Sequence, residues 1–219
     1  MRWSRGIASP PRPLAFGLVG VVLPLLLFCG LALRVTQART PSWDLSSFRY
    51  LERWGPPGNA PGHKGAFSSE AVEFLVRLAD RETIVVTVIL LLAALAARRR
   101  FADALLFLAS IAVAALAPLL KIAFERPGPF PGERDSFPSG HATASMALAL
   151  SFLALLSGTR WLWGATAAAA MILILIGLAV VSGGGHWPSD ILAGWSLSLA
   201  WVSCVSLLAA RHKKTHRVQ

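Results

Sequence analysis

Two short stretches carry side chains whose types and spacing suit chemistry. "SGGGHWPSD", residues 182–190, places His186 and Asp190 four positions apart where an apolar segment begins. On a helix starting near Trp187 the two would share a face. A carboxylate bonded to one imidazole nitrogen sets the tautomer and orients the other nitrogen, as a nucleophilic or general-base histidine requires. An Asp capping a membrane helix beside an interfacial His is the plainer alternative. The other stretch is "PSGH", residues 138–141, directly before "ATASMALALSFLALLS". Its Pro138-Ser139-Gly140 turn sets backbone N–H groups, the Ser139 hydroxyl and His141 at the positive end of a helix. Such an end attracts anions, although a Ser N-cap with an interfacial His has the same letters. Lys121 closes an apolar run just upstream, where it could simply snorkel to an interface. His63, His212 and His216 suggest no metal site, and Cys29 and Cys204 lie inside apolar runs. No metal, cofactor or disulfide framework is therefore expected.

These stretches need elements to hold them, and composition names the solvent. Of 219 residues 55% are hydrophobic and 15% charged, with mean hydropathy +0.59. That balance fits a polytopic membrane helix bundle, all-α, forming a single transmembrane domain over 1–219. Six apolar runs are expected to span: about 14–36, 83–97, 102–124, 141–157, 161–181 and 187–210. The basic leader "MRWSRGIASPPRP" reads as the flank of an uncleaved anchor. Segment 37–82 is expected to be an extracytoplasmic loop, Pro/Gly-rich at "GPPGNAPGHKG". It would end in an amphipathic surface helix over about 69–82, or in an extension of the second span.

An even number of spans puts both termini on one side. That side holds Arg2, Arg5, Arg12, Arg98, Arg99, Arg100, Arg160, Arg211, Lys213, Lys214 and Arg217 against Asp103 as its only acid. The other side holds the remaining 10 of 21 basic residues and 10 of 11 acids, so the whole net charge of +10 is one-sided. The positive-inside rule makes that side, with both termini, cytoplasmic. Nucleic acid is not needed to explain the charge. "PSGH" and "GHWPSD" then meet on the outer face, about 45 residues apart in sequence.

Together these motifs resemble the type 2 phosphatidic acid phosphatase family of membrane lipid phosphatases, relatives of vanadium haloperoxidases and glucose-6-phosphatase. The family pattern is Lys, six residues, Arg-Pro; then Pro-Ser-Gly-His; then Ser-Arg, five residues, His, three residues, Asp. The resemblance covers a phosphatase-like core over about 83–210. It implies that His186 attacks phosphorus to form a phosphohistidine, that Asp190 orients it, and that His141 protonates the leaving oxygen and later activates water. Lys121, Ser139 and the Gly140 amide would hold the phosphate, without a metal. Two positions depart from the pattern. Gly128-Pro129 and Ala179-Val180 stand where the motif arginines are expected, and Arg126-Pro127 comes two residues early. Arg126 or Arg134 is expected to compensate in the first case; Ser182 and a nest of glycine N–H groups would do so in the second.

The implied activity is hydrolysis of a lipid phosphate or diphosphate, such as a polyprenyl diphosphate or a phosphatidate- or phosphatidylglycerophosphate-like lipid. The setting would be a bacterial inner (cytoplasmic) membrane, with the site facing the exterior and membrane lipids around it. A phosphotransferase using the same phosphohistidine, and a non-catalytic binder or translocator of lipid phosphates, are the two alternatives.

Overall fold

The computed structural model describes residues 17–38, 40–53, 69–129 and 135–215. Among them every regular element is helical. A π-helical turn, Leu18–Val22, leads into α1 (Leu23–Ala38), followed by α2 (Ser42–Glu52), α3 (Ser69–Leu78) and α4 (Arg81–Ala97). Then come α5 (Phe101–Ile111), a 3₁₀ turn (Ala112–Ala115), α6 (Leu116–Phe124), α7 (Gly140–Leu155), α8 (Leu162–Ser182) and α9 (Pro188–Thr215). Four stretches are long and apolar enough to cross a bilayer: Val19–Gln37, Phe101–Phe124, Leu162–Ser182 and Pro188–Arg211. Their outward faces carry Leu26, Leu33, Leu105, Leu119, Ile122, Met171 and Leu208, all exposed. Exposed apolar surface on this scale suits lipid rather than water. The chain is an integral membrane protein.

Local sequence explains where the helices break and stop. Pro118 has no N–H for the carbonyl four residues back, and the run tightens to 3₁₀ geometry over Ala112–Ala115. Glu125, left-handed at φ 44°, ends α6. Ser139 caps α7, its hydroxyl accepting from the Ala142 N–H at 3.3 Å. Pro188 opens α9, where its missing N–H costs nothing. In the same first turn the Asp190 carboxylate accepts the Trp187 N–H at 2.9 Å.

Segment 37–82 holds more structure than a loop and one surface helix. Helix α2 forms within it, and α3 packs on α8 with Val72 buried, as is Ala79 just after the helix, while Phe74 faces outward. A turn at Ala79-Asp80 separates α3 from α4, so α3 is a helix of its own and not an extension of the second span. The Pro/Gly-rich residues 55–65 lie outside the described residues.

The long α9 is the spine, packing most extensively against α7 and α1. At Gly194 the two backbones touch: a Cβ there would sit 2.9 Å from the Ser139 carbonyl oxygen and from the Thr143 nitrogen and hydroxyl. One turn on, Ser198 donates to the Thr143 carbonyl at 2.8 Å. Small residues in this register let membrane helices approach closely. Phe137 anchors the loop before α7, its ring 5.9 Å from Phe28 and 4.9 Å from Phe124.

A buried charge knot ties two remote segments to the start of α9. The Arg126 guanidinium donates to Asp44 of α2 at 2.6 Å and, by its other nitrogen, to both Asp190 and the Ser189 hydroxyl, the latter at 2.6 Å. All three charged side chains are 0% exposed. Asp44 also accepts the Ser189 N–H at 2.9 Å and the Ser189 hydroxyl. Two carboxylates against one guanidinium leave an excess negative charge, which these extra donors help to offset. Trp187 covers the knot, its ring 5.7 Å from the guanidinium and its indole N–H bonded to the Pro127 carbonyl at 2.9 Å. Asp44→Ala should cost about 3–5 kcal/mol, because it strands a buried guanidinium end and two Ser189 donors. Thermal unfolding in detergent checks this, and a variant as stable as the parent would show that the knot carries no load.

Candidate active site

Beside the knot lies a cavity of about 360 Å³. His186, Gly185, Gly183, Val180 and Ala179 form one wall, at the α8–α9 corner. His141, Lys121, Asp135, Ser136 and Val76 form the rest. The fold thus brings His186, His141 and Lys121, from three separate segments, to one space. The two imidazole rings have centroids 6.2 Å apart at 72°.

His186 presents Nδ1 to the Asp190 carboxylate at 3.4 Å. That is longer than a good hydrogen bond, and the buried Nδ1 has no nearer partner. A shift of a few tenths of an ångström would close it, which is common at catalytic pairs before substrate is bound. Asp190 itself cannot wander, since one oxygen accepts the Trp187 N–H and the other meets Arg126. With Nδ1 turned to Asp190, Nε2 is the nitrogen left to serve the cavity. His141 has its own carboxylate partner, Nε2 lying 3.0 Å from an Asp80 oxygen.

Several residues singled out from sequence sit elsewhere. Arg126 does not line the cavity; both ends of its guanidinium are held in the knot, where charge pairing outweighs any reach toward a phosphate. Ser139 is fully buried and acts as the α7 N-cap, also accepting from the Thr143 hydroxyl through its carbonyl at 2.8 Å. Gly140 starts α7 without lining the cavity. Ser182 is buried and donates to the Ala179 carbonyl at 3.3 Å. Arg134 lies outside the described residues.

The expected glycine nest is not formed. Gly183 N–H donates to the Ala179 carbonyl at 2.8 Å, Gly184 to Val181 at 3.0 Å and Gly185 to Val180 at 3.2 Å. Gly184 is left-handed, φ 82°. The last two bonds and this conformation are the Schellman stop of α8, so the amides satisfy orphan carbonyls and none is left to grip an anion. Val180, at the position where the family pattern puts an arginine, contributes an aliphatic side chain to the cavity wall.

Sequence inspection missed Asp44, Asp80, Asp135 and Ser136. Asp44 lies 82 residues from Arg126, and Asp80 61 from His141, so no local spacing could reveal either pair. Asp135 and Ser136 belong to the same loop as "PSGH", and Ser136 N–H donates to the Arg126 carbonyl at 2.8 Å. Among the described residues no three His, Cys, Asp or Glu side chains gather in a metal-ligating group.

Known proteins share this architecture. The fold resembles the crystal structure of a transmembrane PAP2 type phosphatidylglycerolphosphate phosphatase from Bacillus subtilis, with TM-score 0.69 and 21% identity, covering 87% of this chain and 96% of that one. It also resembles Aquifex aeolicus LpxE, with TM-score 0.60 and 21% identity over 78% and 98% of the two chains. In sequence it is 36% identical over 72 residues to an undecaprenyl-diphosphatase of Sulfolobus acidocaldarius, a match spanning 33% of this chain and about a third (32%) of that relative. The model of the PAP2 superfamily matches residues 103–214, a stretch that contains both histidines, Lys121 and Asp190. The chain belongs to the PAP2 superfamily.

Proposed function

We propose that this protein is a membrane lipid phosphatase that works through a phosphohistidine on His186. The convergence of His186, His141 and Lys121 on one cavity carries the proposal. His186 Nε2 attacks phosphorus, and the bond from phosphorus to the lipid oxygen breaks. His141 gives a proton to that leaving oxygen. In the second step His141 takes a proton from water, the water oxygen attacks phosphorus, and the P–N bond to His186 breaks, releasing phosphate. Lys121 offsets the charge of the phosphate oxygens. Asp190, held by Arg126, orients His186 and stabilises it when it becomes cationic.

The substrate is a phosphomonoester or diphosphate of a lipid, a polyprenyl diphosphate or a phosphatidate- or phosphatidylglycerophosphate-like molecule. The activities named for the relatives support this class. A second possibility, a non-catalytic binder of lipid phosphates, is favoured by the aliphatic wall at Val180 and by the commitment of Arg126 to the knot. Phosphate release from detergent-purified protein separates the two. His186→Ala should reduce release by about 10³-fold or more and abolish acid-labile labelling of the protein. Release that survives the change intact would sink the phosphohistidine, and no release from any lipid would favour the binder.

In this proposal α4 and α7 complete six spans. At 17 and 16 residues they extend about 24–26 Å, slightly under the hydrocarbon thickness. Both termini face the cytoplasm of a bacterial inner membrane and the cavity faces outward. A reporter fused after Gln219 should then be active only as a cytoplasmic fusion; activity as an exported enzyme would invert the topology.

The wall at Val180 generates a gain-of-function expectation. Val180→Arg places a guanidinium beside the phosphate, and one charge-assisted bond is worth about 1.5–3 kcal/mol. KM for phosphatidate should fall by roughly tenfold or more; an unchanged KM in a stably folded variant would show that phosphate does not approach this wall.

A further inference from the structure

The contact between His141 and Asp80 has no counterpart in the motif pattern, and it lies where the acid–base step of the proposed reaction takes place. Asp80 occupies the N-cap of α4 with extended backbone, φ −63° and ψ 150°, yet its side chain makes no capping hydrogen bond. An Asp at this position ordinarily accepts from an N–H of the first helical turn. Here the carboxylate turns away and meets His141 Nε2 at 3.0 Å. Its placement is determined by packing. Ala79, next to it, is 2% exposed and belongs to the same buried cluster as Ala142, the neighbour of His141, and Trp187, the neighbour of His186. Val76, one turn earlier, faces the cavity. The end of α3 therefore lines the site, and the elbow that follows it packs against the start of α7.

We infer that Asp80 is a positioning residue that makes His141 the general acid of the reaction, so that the site runs on two histidine–carboxylate pairs facing each other. The inference rests on the phosphatase proposal. With Nε2–H given to Asp80, Nδ1 is the nitrogen that serves the cavity. In the first step the proton leaves Nδ1 for the lipid oxygen as the P–O bond breaks, and His141 becomes neutral with Nε2–H still on Asp80. In the second step Nδ1 takes the proton of the attacking water, and the imidazolium reforms beside the carboxylate. The carboxylate holds one tautomer and supports the cationic ring in both directions. Among the described lining residues Lys121 is the fixed cation, and protonating the leaving oxygen keeps further charge from building there.

The test compares leaving groups that differ in their need for a proton. An alkyl oxide leaving from phosphatidate needs one; the nitrophenolate leaving from p-nitrophenyl phosphate does not. The ratio kcat/KM reports steps up to phosphohistidine formation, so it isolates the first proton transfer. Asp80→Asn should lower kcat/KM for phosphatidate by about tenfold or more, while changing it by no more than about twofold for p-nitrophenyl phosphate. Asp80→Ser, which keeps an N-cap side chain but cannot reach the imidazole, should show the same pattern. On a His141→Ala background neither change should add a further loss. Equal losses with both substrates would mean a structural role and overturn the inference. A rise in activity would mean that Asp80 blocks His141, and would overturn it as well. If Asp80 changes are silent while the parent is active and His186→Ala is dead, only this inference falls. If the parent releases no phosphate from p-nitrophenyl phosphate, phosphatidate, phosphatidylglycerophosphate or a polyprenyl diphosphate, both it and the phosphatase proposal fall.

Discussion

The site depends on one buried guanidinium. Arg126 stands outside any helix, between α6 and α7, and its two terminal nitrogens reach Asp44 from α2 and Asp190 from α9. Moving three charges out of water costs several kcal/mol per ion, and only good geometry with further donors recovers it. Ser189 and Trp187 supply those donors. Such a knot has little tolerance for displacement, since any opening leaves a charge buried and unpaired. Its contribution is therefore specificity of position. It allows Asp190 one orientation relative to His186, and it pins an outer helix, α2, against the end of the bundle that holds the cavity.

Using the arginine in this way has a consequence for phosphate. A guanidinium engaged by two carboxylates has little left to offer a substrate. The other wall offers no replacement, because the glycine amides close α8 and Val180 is aliphatic. Among the described lining residues Lys121 is the fixed cation, facing a wall that also carries Asp135. Under the proposed mechanism more of the burden then shifts from gripping the phosphate to moving protons well. The pairing of each histidine with its own carboxylate suits that division.

Periodicity and composition made the helices legible. Long apolar runs with no interior charge have few folded alternatives in lipid, since backbone groups there must bond within the segment. The apolar runs about 102–124, 161–181 and 187–210 accordingly match helical stretches to within a few residues, apart from the tail of α9. What escaped were features set by chain geometry at helix ends. "SGGG" suggested an anion nest, but a helix stop also uses glycine at left-handed φ, and the carbonyls left open at the end of α8 decided for the stop. Ser139 was ambiguous in the same way, and the open N–H groups of α7 claimed it as a cap. Helix α2, short and mixed in composition, carries too weak a pattern to stand out, and its stability comes from what Asp44 and Phe48 bury against.

By itself the sequence determined the solvent and the helical class, and it singled out His141, His186, Asp190 and Lys121 as candidates, because hydrophobic length and short-range motif spacing are local properties. Tertiary structure alone decided which carboxylate His141 meets and what Arg126 does. Those outcomes rest on contacts between residues 61 to 82 positions apart, and charge pairing across such distances appears only when the helices have packed.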